Sequence, residues 1–342
     1  DAANAYRSDT YHCWSSSSRW FVFASKRGDG KYGRPYFCHI DEYGNLTKPF
    51  VLPQEDPWHY ENTLRSYNIP DLSNGPVNFD AVSIGKMLKE TKAETLNTNV
   101  KEYHYIIRVG DTDASYTHQM NDVLDKLEAL IEGRKVFFLR FFISDAANQQ
   151  DILANALKDR GINEVSIIQQ PPLDGSKISA WVWIMEGELN PEYQHQVTYG
   201  LTSDETSSLE QMADIFNSYE AELDAEGKSV ADDCVRTWIF VRDVDTNYAG
   251  VVVGRRNYFD AVGLTPETHY IASTGIQGAH SDFRKLVVMD AYAVKGLKPG
   301  QVRYLQAKSH LNPTYEYGVT FERWTSITYG DRKHIFISGT AS

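Results

Sequence analysis

The sequence predicts an α+β protein that contains two similar units, each with the order strand, helix, strand, helix, strand, strand. Apolar residues recur at helical spacing in four segments, and short apolar runs bounded by Gly or polar residues alternate with them. The same order occurs twice, roughly 90–100 residues apart, which is typical of an internal duplication. We therefore expect tandem βαβαββ modules.

The first unit is expected at residues 101–190. A strand-like lead-in at 103–109 precedes a helical stripe that runs from Met120 to Ile131, and Gly133 follows as a C-cap. Isoleucine and leucine spacing marks a second amphipathic helix before Gly161. Further strands are expected at 136–143, 165–168 and 178–184.

The second unit is expected at residues 191–298. Its lead-in at 193–199 precedes an apolar helical stripe from Leu209 to Leu223, and a second helix at 247–262 ends before Gly263. Three more strands are expected at 235–241, 269–274 and 286–294. The two units thus repeat element by element.

The flanking segments differ from the two units. Residues 1–75 are aromatic and rich in turn residues, which favours an antiparallel β-rich segment, and a proline-marked connector at 76–100 follows. Residues 315–342 read as the opening hairpin of a third unit, with Tyr329-Gly-Asp-Arg332 as its turn region. We expect the rest of that unit either to be missing or to lie on another polypeptide.

Composition excludes several classes of function. The 342 residues carry 46 acidic and 34 basic side chains, so the net charge of -12 excludes nucleic acid as the expected partner. No stretch approaches about 18 uninterrupted apolar residues, so no membrane span is predicted. The three cysteines and ten histidines show no metal-ligand spacing, and no glycine-rich phosphate loop occurs. We therefore expect neither metal nor cofactor.

Residues 100–342 resemble the Rid (YjgF-like) family. The most specific stretches are Tyr317–Arg323 and His334–Ala341, which look like the opening hairpin of a Rid domain and, more closely, of the C-terminal half of chorismatases. Residues 235–240 and 253–259 resemble the preceding chorismatase half. The resemblance implies tandem Rid-like modules in a pseudo-trimeric arrangement, with ligand sites between neighbouring modules.

Residues 12–52 separately resemble a blade of TolB-type β-propellers, through the runs His12–Ser16, Ser18–Phe23 and Ser25–Arg27. Propeller surfaces commonly bind proteins, so we expect a protein partner to bind through residues 1–75. The compartment stays open: the Rid-like modules favour the cytoplasm, and the propeller-like segment favours the periplasm.

The resemblance also implies that this sequence lacks residues with established roles in Rid deaminases and chorismatases. Rid deaminases hold the substrate carboxylate with an arginine before the penultimate strand, but residues 163–165 and 267–269 contain none. Asp290 matches the family's acid on the final strand, whereas the first unit has Trp181-Val-Trp183 there. The glutamate that acts as general acid in chorismatases falls beyond Ser342.

Arginines supply the alternative anion-binding set, because a guanidinium matches a carboxylate with two parallel hydrogen bonds. Arg255 and Arg256 lie about 100° apart on a helix, so only one of them is expected in a cleft. Arg303 belongs to the same arginine set. The predicted substrate-binding residues are Arg236, Tyr248, Arg255, Arg256, Thr274, Tyr304, Arg323 and Thr340.

The resulting hypothesis is a Rid/chorismatase-like protein that binds a small carboxylate metabolite, either chorismate-like or a keto or imino acid. Hydrolase or lyase activity of the chorismatase or Rid deaminase type is the favoured enzymatic interpretation. A homo-oligomer or a pseudo-trimer within one chain is expected. The alternative is a non-catalytic binding or scaffolding protein with degenerate Rid modules and a TolB-like segment.

Overall fold

The structure, a computed structural model, describes residues 3, 5–6, 9–63, 66–67, 70, 72, 100–305 and 314–339. The chain forms two compact units, one of residues 1–94 with 341–342 and one of residues 95–340. Both belong to a mixed α+β protein with several small sheets. The expected connector at 76–100 lies, except for residue 100, outside the described residues.

The N-terminal unit contains one antiparallel sheet whose four strands follow one another in chain order. Phe21, Phe23 and Cys38 are buried together on this sheet, because alternate residues of neighbouring strands share a face. The strands are β1 (Asp9–Trp14), β2 (Trp20–Ser25), β3 (Arg34–His39) and β4 (Phe50–Val51), followed by the short helix α1 (His59–Asn62).

The propeller interpretation of residues 12–52 is unsupported. The described part of the N-terminal unit shows this single sheet and no second blade. A repeat of a propeller buries its faces only against neighbouring repeats.

The second compact unit begins with a sheet in the order β5-β8-β6-β7. Two side chains start its helices: Ser115 accepts a hydrogen bond from the backbone N–H of His118, and Asp145 accepts one from that of Asn148. The elements are β5 (Val100–Ile107), α2 (Tyr116–Ile131), β6 (Val136–Ile143), α3 (Ala146–Asp159), β7 (Ser166–Gln169) and β8 (Ile178–Gly187).

The next sheet has the order β9-β12-β10-β11, which repeats the topology of the preceding one. Ser207 and Glu210 form a capping box at the start of its first helix. The elements are β9 (Gln194–Leu201), α4 (Ser208–Ala225), the short α5 (Val230–Asp233), β10 (Cys234–Val241), α6 (Val244–Ala261), β11 (Ala272–Gln277) and β12 (Val287–Lys295).

We call residues 100–187 the first repeat and residues 194–295 the second repeat. Each element predicted within them has a counterpart in the structure, with small differences at the ends. The strand predicted at 269–274 begins only at Ala272, and the one predicted at 103–109 runs from Val100 to Ile107.

A three-stranded sheet follows, in the order β13-β14-β15. The hairpin predicted around residues 329–332 is present, since β14 and β15 are antiparallel and flank these residues. The predicted strand at 319–327 is shorter than expected, and β13 was not predicted. The elements are β13 (Val302–Leu305), a 3-10 turn (Thr314–Tyr317), β14 (Trp324–Thr328) and β15 (Lys333–Ile337).

Each repeat has its own core between its sheet and its helices. A further core joins the inner faces of all three sheets: Phe138 and Trp183 of the first repeat meet Tyr292 of the second and Ile327 of the hairpin. The helices therefore lie on the outside of this part of the molecule. Among the described residues, no helix combines the length and apolar character that a bilayer crossing requires.

Candidate functional site

A cleft of about 530 Å³ opens where the three sheets converge. We call it the central cleft. Strands β5, β8 and β10 and the β14–β15 hairpin all contribute to it, so it joins segments that are far apart in sequence. Its lining residues are Val100, Glu102, His104, Trp181, Trp183, Arg236, Trp238 and residues 332–337.

Aromatic rings form much of the wall of the central cleft. The His104 ring lies 4.9 Å from that of Trp183 and 6.0 Å from that of Trp181, with which it is stacked. Trp181 in turn meets Trp238 edge-on at 5.8 Å. Trp181 and Trp183 share a face because they are two residues apart in β8. Such a wall suits a flat ligand.

Arg236 is the charged residue that β10 contributes to this wall. It is only 6% exposed, its Nη2 donates to Thr274 Oγ1 at 2.6 Å, and its guanidinium lies 5.1 Å from the Trp238 ring centre. Burial, together with the charge of Arg140, lowers the pKa of Arg236 to about 10, so it stays cationic at neutral pH. Its buried Nη1 has no hydrogen-bond partner among the described residues.

Glu102 binds two residues of the hairpin. Its Oε1 accepts from Arg332 Nε at 2.6 Å and lies 2.7 Å from His334 Nε2, while its Oε2 accepts from Trp183 Nε1 at 3.1 Å. Burial alone would raise the pKa of Glu102, but the hydrogen bonds from His334 and Arg332 and the charge of Arg332 bring it below its usual value. Glu102 is therefore an ionised acceptor, not a proton donor.

A buried polar chain lies behind this group. His195 Nδ1 is 2.7 Å from Tyr292 Oη, which is 3.4 Å from Tyr329 Oη. Burial, reinforced by the charge of Arg332, lowers the pKa of His195 to about 4. His195 is therefore neutral near pH 7.

Asp290, which the resemblance to the Rid family implies as the acid on the final strand, is held in an ion pair. Arg140 of the first repeat donates to Asp290 Oδ2 through Nε at 2.8 Å and Nη2 at 2.6 Å, and the backbone N–H of Gly200 donates to Oδ1 at 2.7 Å. Both side chains are buried, at 3% and 0% exposure. Asp290 therefore ties the two repeats together and does not line the central cleft.

At the central cleft, the structure brings the predicted residues Arg236 and Thr274 together. Thr274 Oγ1 also accepts from the backbone N–H of Gly339 at 2.9 Å. A Cβ on Gly339 would lie 2.8 Å from Thr274 Cγ2, so the hairpin approaches β11 this closely only because a glycine is there.

Arg255 lies on the other face of the second repeat. Its Nε donates to Thr320 Oγ1 at 3.0 Å and its Nη1 donates to Ser273 Oγ at 3.2 Å. Ser273 Oγ also accepts from Thr237 Oγ1 at 2.8 Å. Because Thr237 and Arg236 are consecutive in β10, their side chains point to opposite faces of the sheet. Arg236 and Arg255 therefore do not share one pocket.

Two further predicted residues belong to the surroundings of α6. Tyr248 packs so close to Gly275 that a Cβ there would lie 2.8 Å from its ring. Arg256 Nη2 donates to the carbonyl oxygen of Gly318. Neither residue lines the central cleft.

The remaining predicted residues are dispersed. Tyr304 stacks on His269 with ring centres 3.8 Å apart, in a separate depression. Arg323 is half-buried and Arg303 is exposed, and neither lines the central cleft. Thr340 lies outside the described residues. Within the described part of the chain, no group of three His, Cys, Asp or Glu side chains is placed to hold a metal ion.

Sequence reasoning missed most of the central cleft. A usable signal was the placement of Glu102 and His104 two residues apart in an otherwise strand-like run, which puts both on one face. Trp181 and Trp183 show the same spacing. No local signal connects these positions to His334, because the sheets bring together residues separated by 232 positions.

Comparisons with known proteins give limited information. No family model matches the chain, and no curated protein matches it. A member of the YjgF protein family from Neisseria meningitidis is 18% identical, with 32% of this chain and 83% of that one covered and a TM-score of 0.26. A putative translation initiation inhibitor from Salmonella typhimurium is 16% identical, with 31% and 84% covered and a TM-score of 0.24.

A cyanuric acid hydrolase from A. caulinodans is 10% identical, with 59% of this chain and 70% of that one covered and a TM-score of 0.31. YjgF-family structures are thus among those that this chain resembles. Because all three TM-scores are below 0.5, these likenesses carry no argument about function. The function has to be argued from the contacts of the chain itself.

Proposed function

We propose that the central cleft binds a small carboxylate metabolite with a flat, unsaturated body, chorismate-like or a keto or imino acid. The observation that carries this proposal is Arg236, a buried guanidinium in the cleft wall with an Nη1 that has no partner among the described residues. An unsatisfied buried donor costs free energy, and a ligand carboxylate would remove that cost.

The charges around the cleft support an anionic ligand. Arg236, Arg332 and Lys333 line the cleft and Glu102 is the acidic residue among its lining side chains. The whole chain has a net charge of -12, so this local excess of positive charge runs against the overall balance. Such a local reversal attracts small anions more strongly than the molecule as a whole does.

We also propose that the two repeats and the hairpin are Rid-like modules in a pseudo-trimeric arrangement, with the limits 101–190, 191–298 and 315–342. The identical strand order of the two repeats and the core shared by three sheets support this reading. In it, the central cleft is a seam between modules. Binding, not hydrolysis, is the activity proposed, because Glu102 is ionised and donates no proton.

Titration with chorismate, pyruvate and 2-ketobutyrate tests the proposal, with quenching of tryptophan fluorescence as the readout, because three tryptophans line the cleft. At least one ligand is expected to quench the fluorescence. Arg236→Met is expected to raise the dissociation constant of that ligand by at least about tenfold, the usual effect of losing a hydrogen bond to a charged group. The exposed Arg303→Met is the matched control. Absence of binding by all three ligands, or equal binding by Arg236→Met, would overturn the proposal.

The alternative function is that of a non-catalytic protein that binds a partner through residues 1–75. Exposed aromatic side chains favour it. The rings of Trp20 and Phe50 have their centres 6.3 Å apart on the N-terminal sheet, yet the two residues remain 39% and 45% exposed. Exposed apolar clusters of this kind commonly mark protein interfaces. A pull-down from native lysate with the full chain and with its Trp20→Ser/Phe50→Ser variant tests this alternative, which requires a stoichiometric partner that the variant loses. Sedimentation of the full chain tests the expected homo-oligomer.

A further inference from the structure

We propose that Glu102 fixes His334 as a hydrogen-bond acceptor in the central cleft, so that the cleft prefers a carboxylate that also carries a neutral O–H or N–H donor. This inference rests on the proposed function, since it specifies the ligand of the same cleft. Glu102 is a positioning residue in this scheme, and His334 is the residue that contacts the ligand.

The hydrogen bond to Glu102 determines the tautomer of His334. An ionised carboxylate can only accept, so the 2.7 Å contact requires the proton to be on Nε2 of His334. In the neutral ring, Nδ1 is then an acceptor. Carboxylate–histidine pairs orient imidazoles in this way in many protein sites.

The surroundings of Nδ1 favour the neutral ring. Nδ1 of His334 is buried and has no hydrogen-bond partner among the described residues. If the ring were doubly protonated, this position would be a charged donor buried without an acceptor, which costs more than an unfilled lone pair. The geometry therefore leaves one unused acceptor in the cleft wall.

Aromatic neighbours hold the ring in place. Tyr329, Trp183 and Phe336 contact the His334 ring edge-on, with centre distances of 4.9, 5.7 and 5.7 Å. The side chain is 10% exposed. A ring fixed by three neighbours and by Glu102 loses little conformational freedom on binding, so its acceptor discriminates between ligands efficiently.

Matched ligand pairs that differ in a single donor group test this inference. The probes are 2-hydroxybutyrate against butyrate and 3- or 4-hydroxybenzoate against benzoate, titrated into the full chain by tryptophan fluorescence. At least one hydroxylated member is expected to bind about fivefold more tightly than its partner, the usual gain from one neutral hydrogen bond. The ratio of the two dissociation constants is the readout, because a merely structural role would change both constants equally.

The variant His334→Gln vacates the position of the Nδ1 acceptor and keeps the structural contact, because a glutamine amide can still donate to Glu102 from the position of Nε2. We expect this variant to lose the fivefold preference, whatever its affinity for the ligand without the donor. His118→Gln, an exposed histidine on α2, is the matched control and should keep the preference.

Glu102→Ala gives an independent check. It removes the carboxylate that holds the proton on Nε2 of His334, so the ring is no longer fixed with Nδ1 as its acceptor. The preference for hydroxylated ligands should then weaken or vanish. Should this variant fail to fold, the result with His334→Gln still decides.

The two proposals fail in different ways. If no carboxylate binds, the proposed function fails and this inference fails with it. If carboxylates bind and depend on Arg236, but every matched pair binds equally or His334→Gln keeps the preference, only this inference is overturned.

Discussion

The two repeats have the same topology but different inner faces. Strand pairing gives the equivalence directly: Arg140 lies opposite Trp181 in the first repeat, and Trp238 lies opposite Asp290 in the second. The helix-facing positions are mainly apolar in both repeats. The equivalent inner-face pairs are Glu102 and His195, Phe138 and Arg236, Arg140 and Trp238, and Trp181 and Asp290.

These differences at equivalent positions give two kinds of seam, by which we mean the contact between the inner faces of neighbouring sheets. Between the first and second repeats, the cation Arg140 meets the acid Asp290 and closes the seam. At the central cleft, Arg236 replaces an aromatic residue and lacks such an acid, so the seam stays open. The apolar helix-facing pattern maintains the fold, and the inner-face residues can differ without changing it.

The largest expected effect comes from breaking the closed seam. Asp290→Ala leaves the Arg140 charge buried without a counter-charge and removes the acceptor of the Gly200 N–H. We expect the free energy of unfolding to fall by about 3–5 kcal/mol, measured by urea denaturation. The double variant Arg140→Met with Asp290→Leu should recover most of this loss, because replacing a whole buried ion pair by apolar residues is often neutral.

The ion pair of Asp282 with Arg284 supplies the control for this seam, because the Arg284 side chain is 74% exposed. We expect Asp282→Ala to lower the free energy of unfolding far less than Asp290→Ala does, because solvent screens an exposed ion pair. Equal losses for Asp290→Ala and Asp282→Ala would contradict the idea that the closed seam depends on its ion pair.

Glu102 and His195 occupy equivalent positions but differ in charge, because Glu102 is ionised and His195 is neutral near pH 7. We therefore expect the burial of His195 to make the free energy of unfolding depend on pH. The pKa of His195 is about 4 in the folded protein and about 6.5 in the unfolded chain, so the unfolded state takes up the additional proton between these values. The stability contribution is complete above about pH 6.5 and decreases as the pH falls towards 4, by up to about 3 kcal/mol. His195→Asn should remove this part of the pH dependence of unfolding.

His118→Asn is the control for that measurement, because His118 is exposed on α2. Its pH profile of unfolding should match that of the unmodified chain. A pH profile of His195→Asn that coincides with both would show that burial of His195 does not couple folding to pH.

The helix pairs of the two repeats also differ. Helices α2 and α3 contain no glycine, whereas α6 contains Gly250 and Gly254. A Cβ on Gly254 would lie 2.4 Å from the carbonyl oxygen of Leu209 in α4, so Gly254→Ala must push the two helices apart. We expect a loss of about 2 kcal/mol in thermal or urea unfolding, since overpacking outweighs the better helix propensity of alanine. The exposed Asn155→Ala in α3 is the control and should not destabilise.

The sequence predicts much of this fold because its signals are local. Glycines after the helical stripes indicated helix ends, and Gly133 and Gly161 do adopt positive φ values of 68° and 72°. Strand β13 gave no such signal, because its four residues are too few to show an alternating pattern.

The candidate site was less accessible to sequence reasoning. Arg236 could be selected because a guanidinium matches a carboxylate, and the sequence placed it among the arginines expected to bind one. The pairing of Glu102 with His334 could not, because only the packing of separate sheets brings these side chains together. Arg255 contacts Ser273, which lies on the sheet face away from Arg236. This separation could be inferred only once the register of β10 and β11 was known, because side chains alternate between the two faces of a strand.

The smallest expected effect concerns two hydroxyl groups at equivalent positions of the two repeats. The hydroxyl of Thr274 accepts a hydrogen bond from Arg236, whereas that of Ser166 has no partner among the described residues. Thr274 lies opposite Trp238, and Ser166 lies opposite Arg140. Because Arg140 and Trp238 are equivalent, Ser166 and Thr274 are equivalent too. Thr274→Val removes the acceptor for Arg236 Nη2, so we expect a loss of about 1 kcal/mol in unfolding and about fivefold weaker carboxylate binding. Ser166 Oγ is buried without a partner among the described residues, so Ser166→Ala should be neutral or slightly stabilising. Equal behaviour of the two variants would mean that Thr274 does not hold Arg236 in its binding position, and that the difference between the open and closed seams lies elsewhere on the inner faces.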